Sequence, residues 1–181
     1  MTERMEELLH FWFDPSNRPR WFEADPAFDR EVERRFGDLV PAAAAGKLES
    51  WAGSPRGALA LCILLDQLPR NVARGTPGAF AHDAQARDVA RRALAAGFDR
   101  ALLPEERLFL YLPFEHSEDL GDQERSVALF AELGSAEWLD YAVRHRDIIA
   151  RFGRFPHRNA ILGRPGTEAE AAFLQEPGSS F

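Results

Sequence analysis

Cysteine is almost absent: Cys62 is the only one in 181 residues. A single cysteine excludes an internal disulfide and any site that needs two thiolates, and it fits a reducing compartment. Because it lies inside the apolar run LALCILL (59–65), it reads as a small buried hydrophobe. Lysine is equally scarce, with Lys47 the only one, so an anion site here has to use planar, forked guanidinium groups. No apolar stretch approaches the ~20 residues of a membrane span, and the opening MTERMEELLH is charged. The expectation is a cytoplasmic protein with no membrane partner. A basic excess is missing as well. The net charge of −7 argues against nucleic acid as a partner. No stretch alternates apolar and polar residues for long enough to signal a strand. The phosphate-loop, dinucleotide and serine-elbow motifs are absent, which leaves nucleotide-fold and serine-hydrolase readings unsupported, and no cofactor is expected.

What is present suits a well-filled globule. Apolar residues make up 45% and charged residues 28%, with 14 Phe and 4 Trp. A chain of this length can bury about 70% of its unfolded surface, so a single domain over 1–181 is expected, with its core at about 3–175. Glycine and proline punctuate segments of helical period. Met5, Leu8, Leu9 and Trp12 form the stripe of a first helix. Asp25-Pro26 opens a second, whose inner face carries Phe28, Val32, Phe36 and Leu39. A third, about 55–68, is apolar nearly all round and therefore central. Pro69 is expected to end it and start a short turn through Arg74. Helices are further expected over 78–96, from Pro104 to just before Pro113, and over 119–133. Ser135 caps the clearest helix, with Trp138, Tyr141, Ala142, His145, Ile148, Ile149 and Phe152 on one face. A short turn starts at Pro156, and Thr167-Glu168-Ala169-Glu170 is a capping box. The sum is an all-α array of about eight or nine antiparallel helices, without the signature of the ~34-residue tetratricopeptide repeat.

Three polar clusters stand at helix ends. Asp66, Gln67, Arg70, Asn71 and Arg74 follow the most hydrophobic helix, where a charge has to be paired to be buried. They either fasten that helix end or reach into a pocket. Pro113 to Asp119 joins two helices, and capping leaves His116 unexplained. Its H-x-E string with Glu118 resembles zinc deaminases, but those require a P-C-x-x-C pair that a single cysteine cannot supply. Between Arg144 and Arg164 there are six Arg and two His against one acid, Asp147. Asp140 with Arg144 and Asp147 with Arg151 form i,i+4 pairs. Arg154, His157, Arg158 and Arg164 have no local partner of that kind. His145, on the apolar stripe, is either a core histidine or joins His116 and His157 in one site. No pair of histidines shows helical metal-ligand spacing, so no metal is expected.

The strings LDQLPRN, RGTPGAFAHD, LPFEHSED and RFGRFPHRNAILGR followed by T-x-x-E, with the opening LLHFWF and the Trp21-Phe22 pair, resemble the bacterial family named domain of unknown function 924. The resemblance runs from about Leu8 to Leu174. It implies an all-helical fold similar to tetratricopeptide superhelices and supplies no reaction. By resemblance the motif positions are Asp66, Gln67, Arg70, Asn71, Arg74, His116, Ser117, Glu118, Gln123, His145, Arg154, His157, Arg158, Asn159 and Arg164.

The reading these clusters support first is a site for a small phosphate- or carboxylate-bearing molecule. Arg154, Arg158 and Arg70 would fork onto the anion, Asn71 and Asn159 would orient it, and His116 and His157 would carry protons with Glu118 orienting one of them. The competing reading, of a different class, is a helical module that binds acidic peptides without catalysis.

Overall fold

The computed structural model describes residues 2–180, and among them the regular structure is helical, with no strand. The α-helices are α1 Thr2–Trp12, α2 Pro26–Phe36, α3 Leu39–Ala44, α4 Pro55–Cys62, α5 Leu68–Val72, α6 Asp83–Ala95, α7 Pro104–Glu115, α8 Leu120–Leu133, α9 Ala136–Phe152 and α10 Glu168–Phe173. Helix α4 runs into α5 through a π turn, Ile63–Gln67. The chain gathers into two compact units, one built from residues up to 74 together with 78–113, the other from 75–77 and 114 onward.

In the first unit the helix starts follow local chemistry. The Asp25 carboxylate accepts from the Ala27 and Phe28 amides at 2.8 and 3.1 Å, and Pro26 occupies the first helical position. Aromatic rings fill the centre. Trp12 meets Phe109 edge to face at 5.5 Å, and Phe11 packs on Phe28 and Phe36 at 5.7 and 5.3 Å. Helix α4 is buried on every side from Gly57 to Cys62, as its all-round apolar sequence requires.

Two prolines behave differently from the expectation. The helix continues past Pro69 because the Leu68 amide bonds to the Ile63 carbonyl, five residues back. The wider π turn makes room for the proline ring next to the preceding turn. Helix α7 includes Pro113 and ends at Glu115, close enough to its C-terminus that little of the hydrogen-bond ladder is lost. The segment expected to be helical from Gly78 instead opens as a 3-10 turn, Pro77–Phe80, before α6.

The second unit is organised by a helical hairpin. The Asp119 carboxylate caps α8 through the Asp122 amide at 3.0 Å, and Gly134, at φ 74°, turns the chain back. Ser135 then caps α9. Ile148, Ile149, Phe155 and Phe173 form a core with Phe152 against it, and the Thr167–Glu170 capping box is present on α10.

Gly57 allows the closest backbone approach in α4: a Cβ there would lie 2.0 Å from the Trp51 carbonyl oxygen. Gly57→Ala is therefore expected to destabilise the chain by about 1–3 kcal/mol through overpacking, read by urea unfolding. A variant as stable as the parent would show that the 49–53 turn yields freely.

Candidate functional site

The polar cluster after α4 is a lock inside the first unit. Asp66 is fully buried, and one of its oxygens accepts from the Gln67 amide group at 2.5 Å. Arg70 donates to the Asp66 carbonyl at 2.6 Å and forks onto both oxygens of Asp83 at 2.8 and 3.0 Å. Burial alone would lower the Arg70 pKa, yet the charges of Asp66 and Asp83 together with the Asp83 hydrogen bond raise it. Asn71 and Arg74 both donate to Asp29 on α2. The fork expected to reach a ligand from Arg70 is thus spent on Asp83.

In the second unit two further arginines are held in the same way. Arg154 forks onto Glu170 at 2.6 and 2.8 Å, and the Thr167 amide donates to the same carboxylate. Arg154 and the Thr167 amide bring the Glu170 pKa down to about 2. Arg164 forks onto Glu118 at 2.6 and 2.9 Å and also donates to Asn159 Oδ1 at 3.0 Å. Glu118 takes a third hydrogen bond, from the Phe155 amide at 2.8 Å. Burial pushes its carboxyl up, but Arg164 and the Phe155 amide outweigh burial and hold it below its ordinary value. Glu118 therefore clamps Phe155 and Arg164, in place of the expected role of orienting a histidine. Asp147 pairs with the adjacent Arg146 at 2.6 Å, not with Arg151 as expected.

The clamp fixes a fully buried Phe155, and polar side chains collect about its ring. The His145 ring lies edge-on to it at 5.6 Å, the His157 ring is tilted against it at 5.6 Å, and the Arg158 guanidinium stands over it at 4.5 Å. His116 is 6.2 Å from His145. His145 and Arg158 are buried, while His116 and His157 are half-buried.

His145 Nδ1 lies 2.8 Å from the Tyr141 carbonyl and 3.4 Å from a Glu115 oxygen. A carbonyl only accepts, so Nδ1 carries the proton and Nε2 presents its lone pair. Burial pushes the imidazole down to about 3, and His116, Arg158 and His157 act in the same direction against the Tyr141 hydrogen bond. His145 is neutral at pH 7. Gln123 is buried beside this cluster and donates to the Glu115 and Ser117 carbonyls at 2.6 and 2.7 Å.

The second unit thus gathers His116, Gln123, His145, His157, Arg158 and Asn159, while Asp66, Gln67, Arg70, Asn71 and Arg74 belong to the first. Glu115, Ser126 and Phe155 escaped the sequence reading. Glu115 and Phe155 carried a signal, the first as the neighbour of His116 in LPFEHSED and the second inside RFGRFPHRN. Among the described residues no three His, Cys, Asp or Glu side chains are placed to hold a metal ion, and no helix is long and apolar enough to cross a membrane. A separate open cleft of about 770 Å³ beside α1 is lined by five carboxylates, Glu3, Glu6, Glu7, Asp14 and Glu31, against Arg20, Arg35 and His10.

The family described as bacterial protein of unknown function, DUF924, matches residues 8–178. A solved structure of a protein of unknown function from Agrobacterium tumefaciens is 41% identical and superposes with a TM-score of 0.92. The alignment covers 96% of this chain and 98% of that one. No curated protein matches the chain.

Two outcomes follow from the pairings. Arg70→Met strands the buried Asp66 without its guanidinium and should cost about 3–5 kcal/mol in denaturant unfolding; a smaller loss would mean that water reaches Asp66. His145 is neutral when folded but takes a proton in the unfolded chain below about pH 6.5. Its contribution is therefore complete above pH 6.5 and is lost as pH falls toward 3. Between pH 6.5 and 5 the parent should lose about 1.4 kcal/mol per pH unit more than His145→Gln. Equal slopes would show that His145 protonates freely in the folded state.

Proposed function

We propose that this chain, which belongs to the bacterial family of unknown function DUF924, binds a small phosphate- or carboxylate-bearing molecule at the cluster about Phe155. The observation that carries this reading is the collection of two imidazoles and a guanidinium around one buried ring, with a third imidazole, His116, beside His145, in a chain of net charge −7. Two members of the cluster are buried and two are half-buried, which favours a small molecule over the side of a peptide. Arg158 supplies fixed positive charge and His116 and His157 supply hydrogen-bond donors. His145 Nε2 is the proton acceptor, because the Tyr141 carbonyl holds the proton at Nδ1. An anion placed there opposes the lowering of the His145 imidazole by His116, Arg158 and His157.

A thermal-shift titration of the full chain with inorganic phosphate and with succinate tests the proposal. Anion at 100 times its dissociation constant adds about 2.7 kcal/mol, which moves the midpoint by roughly 5–10 °C. The shift should persist in Arg154→Met, whose lost partner is Glu170, and disappear in the double variant His116→Gln, His157→Gln. No shift with either anion, or a shift untouched by the double variant, would sink the reading.

A further inference from the structure

Two buried polar atoms beside this cluster, Gln123 Oε1 and Ser126 Oγ, have no hydrogen-bond partner among the described residues. Both side chains are fully buried. The orientation of Gln123 is not adjustable. Its amide nitrogen donates to the Glu115 and Ser117 carbonyls, and both of these only accept. Flipping the amide would set an oxygen against two oxygens, so Oε1 is held as a fixed acceptor. The carbonyls that fix it bracket His116, and Glu115 itself reaches His145. Ser126 stands three residues further along α8, on the same helix face. Its hydroxyl makes no bond back to the preceding turn, the usual resort of a serine in mid-helix.

A buried polar atom without a partner is costly, and such atoms are few in native proteins, each calling for an explanation. Alanine at position 126 would remove one of these costs and favour the helix. The stability given up here has its counterpart in a ligand. The chemistry of the two atoms differs from that of the histidines and Arg158. Oε1 can only accept, and a serine hydroxyl can both donate and accept. A bare carboxylate or phosphate dianion has nothing to donate to Oε1. An alcohol hydroxyl suits the pair, because it donates to Gln123 and accepts from Ser126.

Resting on the anion reading above, we infer that the ligand is a small hydroxy acid, its anionic group on the histidines and Arg158 and its hydroxyl between Gln123 and Ser126. Titration calorimetry on the full chain compares each malate enantiomer with succinate, and glycolate with acetate. The hydroxy acid should bind at least about tenfold more tightly than its deoxy partner, the effect of one buried acceptor satisfied or left bare. Ser126→Ala should bring that ratio close to one, leave succinate and acetate binding unchanged, and raise the melting temperature of the ligand-free protein. Equal affinities within each pair, or a ratio untouched by Ser126→Ala, would overturn the hydroxyl assignment while the anion reading stands. If none of the four acids and no phosphate binds, both fall together.

Discussion

Glu118 receives three hydrogen bonds, two from Arg164 and one from the Phe155 amide. This arrangement ties the 3-10 turn at Pro156–Arg158 to the loop before α8, across 37 residues of sequence. With the backbone of Phe155 fixed, its ring becomes the platform for His145, His157 and Arg158. Without the clamp those three side chains would have no common surface.

The same solution recurs at three further arginines. Arg70 takes Asp83, Arg154 takes Glu170 and Arg74 takes Asp29. A guanidinium drawn out of water is costly without a partner, and with Lys47 the sole lysine almost every such cation in the chain is a guanidinium. Most of the arginine-rich loop is therefore structural, and its positive charge is neutralised by acids from α8's leading loop and from α10. His145, His157 and Arg158 gather instead about the Phe155 ring.

Within that part the packing departs from economy. Helix α8 turns Leu129 and Phe130 into the interior, yet one and two turns earlier it buries a hydroxyl and an amide oxygen that nothing among the described residues satisfies. His145 is held neutral on an apolar stripe by burial and a backbone carbonyl. A helix hairpin alone requires none of these, and places where a sequence breaks its own local rules tend to be functional.

Much of the architecture was legible in order along the chain. The period of Leu8, Leu9 and Trp12, the Asp25-Pro26 start, the all-apolar α4, the Ser135 cap and the Thr167–Glu170 box are local signals, because capping and amphipathic period depend on residues within a turn or two. The resemblance carried by RFGRFPHRN likewise pointed to the family that the chain belongs to. Pro69 and Pro113 were misread because a π turn and a helix end can absorb a proline, and neither leaves a local mark. The partners of the arginines were beyond sequence reasoning altogether. Glu170 lies 16 residues from Arg154, and Glu118 lies 46 from Arg164. An ion pair formed across a fold has no period and no fixed spacing. The sequence alone determined that this protein is a set of capped helices with polar residues at their ends. Only tertiary structure decided which of those residues neutralise one another and which stay gathered about Phe155, because burial and charge pairing are settled when distant segments meet.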